Sequence, residues 1–265
     1  MLTKDLAICI RAVDYSETSQ VVTFFARESG KISAIAKGSK RPKSAFDGPI
    51  EILSHGRILF SDSGREKLAT LTEFEPAYDS PDLAGPSGDF FALNCCFFAA
   101  ELIGNLTHDY DPHPELFDGF LLFLQNAGRH ETKHHTLAAL ILFQLGLLKE
   151  IGLQLILNYC VNCKTPKRPM DDGRKDDGRS SSLVPRPSSL VYFSSSANGL
   201  ICRDCEPSFP DKIRLSCSAA ACLTNLKQIP DAAEATLREI EKVLVRHFTD
   251  LLGRPPKMAK HILGG

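Results

Sequence analysis

From Asp5 to Phe74 the chain alternates apolar and polar residues in short runs, the period of two that belongs to half-buried strands. Leu6-Ala7-Ile8-Cys9-Ile10 is the first run and Gln20 to Phe25 the second. Ser29-Gly30 supplies the turn into Lys31 to Ala36. Two more runs, Ile50 to Phe60 and Lys67 to Phe74, flank the turn Ser61-Asp62-Ser63-Gly64. Five short strands predict a small closed or nearly closed barrel, and the OB-fold leads for that strand count and size. Phe24 and Phe25 fall on opposite faces of one strand, so one of them is expected in the core. Phe46 is expected to be core as well.

Beyond the linker Leu83-Ala84-Gly85-Pro86-Ser87-Gly88 the period becomes helical. Helices are expected at Asp89 to Leu106, at Glu115 to Gln125, and from Thr132 or Lys133 towards Gly152. Further on, Cys217 to Leu226 reads as a short helix. Asp231, with Glu234 three positions on, reads as a capping box opening a long one. Its apolar stripe (Leu237, Ile240, Val243, Leu244, Phe248, Leu251) ends at Gly253 and Pro255-Pro256.

Between these helices stand Cys160-Val161-Asn162-Cys163 and, thirty-eight residues later, Cys202-Arg203-Asp204-Cys205. Two CxxC turns offer four thiolates to one tetrahedral Zn²⁺ with no open position, which makes the site structural. The gap is about twice the usual 15–20 residues. Lys164 to Ser189, polar and nearly free of apolar side chains, absorbs the excess and is expected to be a disordered insert. It carries seven basic residues against four acids. Leu190-Val191-Tyr192-Phe193 then reads as a strand with its turn at Asn198-Gly199. A redox CxxC or two unrelated buried pairs are the alternatives, and a redox motif needs only one CxxC in a βαβ setting.

The expected architecture is therefore α+β and multidomain. Residues 1–80 form an OB barrel, 81–158 and 207–265 the two parts of an α-helical bundle, and 159–206 an inserted four-cysteine zinc finger. Composition narrows the function. A net charge of −1 over 265 residues excludes a globally basic protein, so nucleic-acid contact requires a local patch. Arg27, Lys31, Lys37, Lys40, Arg41 and Lys43 oppose only Glu28 in one short stretch, and Lys37 to Lys43 form a loop kept irregular by Gly38 and Pro42. A mobile cationic loop on a barrel can follow a phosphate backbone with little sequence preference. The plain alternative is a solvated loop.

An odd count of nine Cys, metal-type spacing and no signal peptide point to a reducing compartment. There is no apolar run of 18 or more, so no membrane span is expected. His130, His134 and His135 share a helix start without an HExxH carboxylate and read as a solvated end. His108-Asp109-Tyr110-Asp111 reads as a polar connection. No P-loop, GxGxxG or GxSxG motif is present, and no enzyme is expected.

The order of these parts resembles the RecO family of bacterial recombination mediators. The resemblance rests on Tyr15-Ser16-Glu17, Val21 to Phe24, Gly30-Lys31-Ile32 and Ala36 to Ser44. It continues through Glu115-Leu116-Phe117, both CxxC pairs, Tyr192-Phe193-Ser194 and Gly199. It implies an OB domain that binds single- and double-stranded DNA and a cytoplasmic, nucleoid-associated protein that anneals complementary strands. With RecR, and in some settings RecF, such proteins help RecA displace single-strand-binding protein (SSB). The family's basic barrel positions correspond to Lys37, Lys40, Arg41 and Lys43, but Asp47 interrupts the basic run that relatives continue. Two other classes fit the bare residues: an OB-plus-zinc module for RNA, and a zinc-scaffolded protein adaptor.

Overall fold

A computed structural model of the chain describes residues 2–41, 44–46, 48–61, 68–77, 90–127, 132–166 and 190–264. Pro42, Lys43, Asp47, the turn residues 62–64, Lys67, the linker 83–88, Asp89, His130 and insert residues 167–189 lie outside them.

The alternating runs form β1 (Leu2–Asp14), β2 (Gln20–Ala26), β3 (Gly30–Ala36), β4 (His55–Ser61) and β5 (Ala69–Pro76). They close into a barrel in the order β1-β2-β3-β5-β4, in which only β3 and β5 run parallel. The N-terminal unit is thus an OB-like five-stranded barrel. Val22, Phe24, Ala26, Ile32, Ala34 and Ala36 point inward, where Phe46, Phe60 and Phe74 complete the core. The Phe24 and Phe74 rings lie 5.7 Å apart.

The outward face of the barrel is not all solvent. Ile8, Ile10, Phe25 and Leu53 leave the barrel core and join the helical one. Phe24 and Phe25 are therefore both fully buried, each in a different core. A bulge between Cys9 and Arg11 shifts the alternation by one residue, so that Ile10 and Arg11 both face outward and Arg11 pairs with Thr23 on the outer face. The expected strand from Ile50 starts only at His55. Leu53 has φ +73° and its N–H donates to the Cys9 carbonyl at 2.7 Å, so the chain turns there to place Leu53 under the helices.

The helical core is built by α1 (Phe90–Leu106), α2 (Pro114–Ala127), α3 (Lys133–Glu150), α4 (Cys217–Thr224), α5 (Glu234–Leu252) and α6 (Ala259–Leu263). α3 is apolar around most of its circumference because it touches α1, α2 and α5 at once. It opens where expected, and the Thr132 side chain caps it by accepting from the His135 N–H. Asp231 does not cap α5. The helix starts at Glu234 behind Ala233, because a turn with Ala232 N–H on the Ile229 carbonyl uses up the residues before it, and Glu234 pairs instead with Arg238 at 2.9 Å. His134 Nε2 donates to the Ala232 carbonyl at 2.6 Å and ties the starts of α3 and α5 together.

Between α3 and α4 stands a three-stranded sheet of β6 (Leu190–Ser194), β7 (Gly199–Cys202) and β8 (Ile213–Arg214), in the order β7-β6-β8. Leu190, Phe193, Leu200 and Ile201 are buried in the same core as the helices. The turn after β6 is anchored twice. Asp211 accepts from Ser194 and Ser196, and Ser195 Oγ lies 2.8 Å from Nδ1 of the fully buried His247 on α5.

One polar pair lies wholly inside the bundle. Gln144 on α3 donates through Nε2 to Glu241 Oε1 on α5 at 2.9 Å, leaving Gln144 Oε1 and Glu241 Oε2 with no partner. Two unpartnered buried acceptors are costly. Protonation of Glu241 removes the buried charge and supplies a donor where the pair otherwise has only acceptors left. Burial pushes the Glu241 carboxyl from 4.5 up to about 7, with Gln144 opposing. A carboxyl raised in this way adds stability fully below its unfolded value and loses it as pH climbs through the folded one. His247, lowered by burial, acts in the opposite sense, so the comparison must be variant minus wild type. Glu241→Gln should melt like wild type near pH 5 and be more stable at pH 8, by about 1–3 kcal/mol. Melting curves at the two pH values check this.

Candidate nucleic-acid interface and metal centre

The basic loop leaves the barrel at the end of β3. Its described part is held by more hydrogen bonds than its composition suggests. Gly38 has φ +73°, its N–H donates to Ser19 Oγ at 3.1 Å, and the Arg41 N–H closes a turn onto the Gly38 carbonyl. Lys40 N–H donates to the Thr18 carbonyl, while fully buried Ser39 donates through Oγ to Gln20 Oε1 at 3.0 Å. The same Gln20 oxygen accepts from Ile50 N–H at 2.9 Å. Gln20, which carries no charge and stands at the edge of a strand pattern, is the bolt under the loop, and nothing in its sequence context marks it.

This framework turns Lys37, Lys40 and Arg41 outward. Lys40 pairs with Asp14 at 2.8 Å, whereas the Lys37 and Arg41 side chains have no ion-pair partner among the described residues. Arg27 and Lys31 stand at the other end of β3, about 20 Å away at strand rise. Arg27 forks onto the Asp118 carboxylate of α2 at 2.9 and 2.8 Å, holding that carboxyl below its usual range. Lys31 Nζ donates to the carbonyls of Gly104 and Thr107 at 3.0 and 2.6 Å and lies 3.4 Å from Asp109. It caps the C-terminal end of α1, where unpaired carbonyls and the helix dipole favour a cation. Arg27 and Lys31, read from the sequence with the basic stretch, thus each have a partner within the chain, Arg27 in an exposed ion pair with Asp118 and Lys31 at the end of α1.

The His108–Asp111 connection completes the same joint. Tyr110 N–H donates to the Lys31 carbonyl at 3.0 Å. Gly30, at φ +71°, sits so close that a Cβ there would land on the Asp111 backbone. The polar loop is a clamp on the barrel.

The two CxxC turns meet across the sheet. The four Sγ atoms of Cys160, Cys163, Cys202 and Cys205 all lie within 4.8 Å of one another. Cys163 and Cys202 are 3.7 Å apart, close to the roughly 3.8 Å edge of a tetrahedron with metal–sulfur bonds of about 2.3 Å. The backbone builds each turn: Lys164 N–H donates to the Cys160 carbonyl at 2.9 Å, and Cys205 N–H to the Cys202 carbonyl at 3.2 Å. Thr165 O accepts from Cys160 N–H, so residues 164–166 belong to the first turn and not to the insert. Val161 N–H reaches Leu200 O, and Gly199 lets the Ile156 carbonyl lie against β7. Without a metal the thiols differ. Hydrogen bonds with the Thr165 hydroxyl and backbone bring Cys163 down to about 6. Cys205 is pushed up to about 12: the Asn162 amide lowers it, but burial and the other thiols outweigh that effect. One tetrahedral ion, in a shell closed by four sulfurs, fits this donor set.

Two family models match the chain, "Recombination protein O N terminal" over residues 1–78 and "Recombination protein O C terminal" over 87–260. The chain belongs to the RecO family. It is 30% identical to "DNA repair protein RecO" of Rhodopirellula baltica over 88% of this chain and 77% of that one. It is 29% identical to the protein of that name from Anaeromyxobacter dehalogenans, over 93% and 90% of the two chains. It is 28% identical to the one from Bacillus subtilis, over 96% and 91%. The RecO models meet in the chain where the barrel gives way to helices, and the RecO C-terminal model spans both CxxC turns.

Two consequences follow from the geometry. Lys31→Met keeps the aliphatic stem and removes the cap of α1. Thermal melts should show a loss of about 1–3 kcal/mol. Cys160→Ser should lose bound metal by elemental analysis and destabilise the helical half by several kcal/mol, because metal binding is coupled to folding. Full metal content and an unchanged melt would remove the metal assignment.

Proposed function

We propose that this RecO-family protein is a non-enzymatic recombination mediator that binds single- and double-stranded DNA and anneals complementary strands. The observation that carries the reading is the cationic turn Lys37–Arg41, bolted by Gln20 at the rim of an OB-like barrel with Lys37 and Arg41 unpaired among the described residues. Rigid presentation suits a polyanion of variable sequence. The cations are fixed in space, the phosphates come to them, and counterion release supplies the affinity. Lowering the charge between two strands while leaving base edges free favours pairing without any bond chemistry. Lys43, in the same basic run, is proposed to act with the turn.

The metal is proposed to be one structural Zn²⁺ per chain, since four thiolates in a closed shell suit zinc. RecR, SSB and, in some settings, RecF are the proposed partners in loading RecA, in the cytoplasm beside the nucleoid. Family membership and the relatives named as DNA repair proteins support this reading. No helix among the described residues is long and apolar enough to cross a membrane.

The test replaces Lys37, Lys40, Arg41 and Lys43 with Ala, after checking folding and metal content. Binding and annealing should fall together, and the slope of log K against log salt for single strands should shrink by about 2–3. Lys40 should contribute least, being paired with Asp14. Equal slopes in variant and wild type would refute the loop as the DNA contact, and preference for RNA over DNA would refute the DNA reading.

A further inference from the structure

A second group of free cations lies where three parts of the chain meet. The outer face of β1–β3, the side of α1 and the segment between α5 and α6 enclose an open cleft of about 540 Å³. Its rim carries Arg11 from the barrel and Arg254 and Lys257 from the C-terminal segment. All three are exposed, and none of the three side chains has an ion-pair partner among the described residues. The cleft has acids too, but they are committed. Glu101 accepts from the backbone N–H groups of Lys257 and Met258 at 2.7 and 2.8 Å, and Asp109 faces Lys31. A local cationic surplus remains in a chain whose net charge is −1.

The shape and the floor of the cleft narrow what it takes. The floor is the Thr23 and Ser33 hydroxyls, 3.2 Å apart, flanked by half-exposed Ile52 and Met258. Cations above hydroxyls suit phosphate oxygens, and apolar side chains beside them suit the face of a base. The cleft is continuous with the barrel face: Arg11, Thr23 and Ser33 form one outward row across β1, β2 and β3. Ser33 and Lys37 are four residues apart, about 13 Å at strand rise. The sequence explains how the row is aimed. Without the bulge at Ile10, Arg11 would point into the barrel.

We infer that this cleft is a second phosphodiester-binding site, formed jointly by barrel and helical domain, which takes the strand held by the Lys37–Arg41 turn as it continues along β3. The inference rests on the DNA-binding reading above and extends it to the helical half. A strand engaged at both ends spans the seam between the two domains, so binding stiffens that seam.

Oligo(dT) of increasing length is the probe, with binding measured against salt. Arg11→Ala/Arg254→Ala/Lys257→Ala should lower the salt slope for long oligo(dT) by about 2, at about 0.7 for each phosphate no longer neutralised. The gain of affinity with length should also stop a few nucleotides earlier than in wild type, while short oligonucleotides bind both proteins alike. Arg254→Ala/Lys257→Ala leaves the barrel untouched and should give the same change in smaller measure, which guards against a misfolded barrel. The effect should add to that of the loop variant, since the sites share no partners. Normal wild-type binding with slope and length dependence unchanged in both cleft variants would overturn the second site and leave the loop reading standing. Failure of wild type to bind oligo(dT) at any length would overturn both.

Discussion

A five-stranded barrel has two surfaces on every strand, and in this protein the outer one decides the architecture. Ile8, Ile10, Phe25 and Leu53 turn their apolar side chains away from the barrel core and insert them among the helices. Burying groups of this size is worth about 1.5–3 kcal/mol each, so the barrel cannot leave the helices without exposing them. The polar half of the joint follows from the apolar half. Once Phe25 is seated against Phe117, the hairpin beside it brings Lys31 to the end of α1 and Arg27 to Asp118. Two charges of the basic stretch thereby gain partners on the helices at this joint.

The same logic explains the helical half. Its core is one continuous body running from the barrel face through α1, α2, α3 and α5 to the three-stranded sheet that carries the cysteines. That sheet is too small to stand alone. Its inner residues Phe193, Leu200 and Ile201 are covered by the helices, and its turn is held by His247 of α5. The thiols do at one edge what the core does at the other. Four sulfurs within 4.8 Å bring together two turns that are far apart in sequence, at the edge of the sheet built by β6, β7 and β8. A metal held by these thiols would couple its binding to the folding of the sheet and the bundle.

Binding geometry emerges from the same seam. Where the helices press on the barrel they cover Phe25 and Lys31, and where they stop the face opens into a cleft beside Thr23 and Ser33. Covered and open portions of the β2–β3 face alternate along a single strand pair. The cationic turn lies beyond the open portion, held by Gln20, Ser39 and Ser19 so that its orientation is set before any ligand arrives. Under the proposed function, such charges supply affinity for phosphates without reading bases.

Much of this was legible in the chain. Period-two runs located all five barrel strands, helical runs located α1 to α5, and the spacing of Cys160, Cys163, Cys202 and Cys205 announced a metal shell, because these signals are local and repeat along the sequence. Lys37, Lys40 and Arg41 were legible as a surface for the same reason, being a run of charge bounded by Gly38 and Pro42. What local pattern misses is direction. Nothing near Phe25 says that its outward face meets α2, nothing near Leu53 says that it must turn at φ +73° to reach the helices, and Asp231 looked like a cap until the turn before α5 claimed its place. Gln20 and Glu241 were silent because their importance lies in partners 19 and 97 residues away. The sequence by itself determined which segments are strands, helices and metal turns, since those follow from side-chain period and ligand spacing. Only the tertiary structure decided which charges stay without an ion-pair partner among the described residues, because a lysine caps a helix or faces solvent according to what the fold packs beside it.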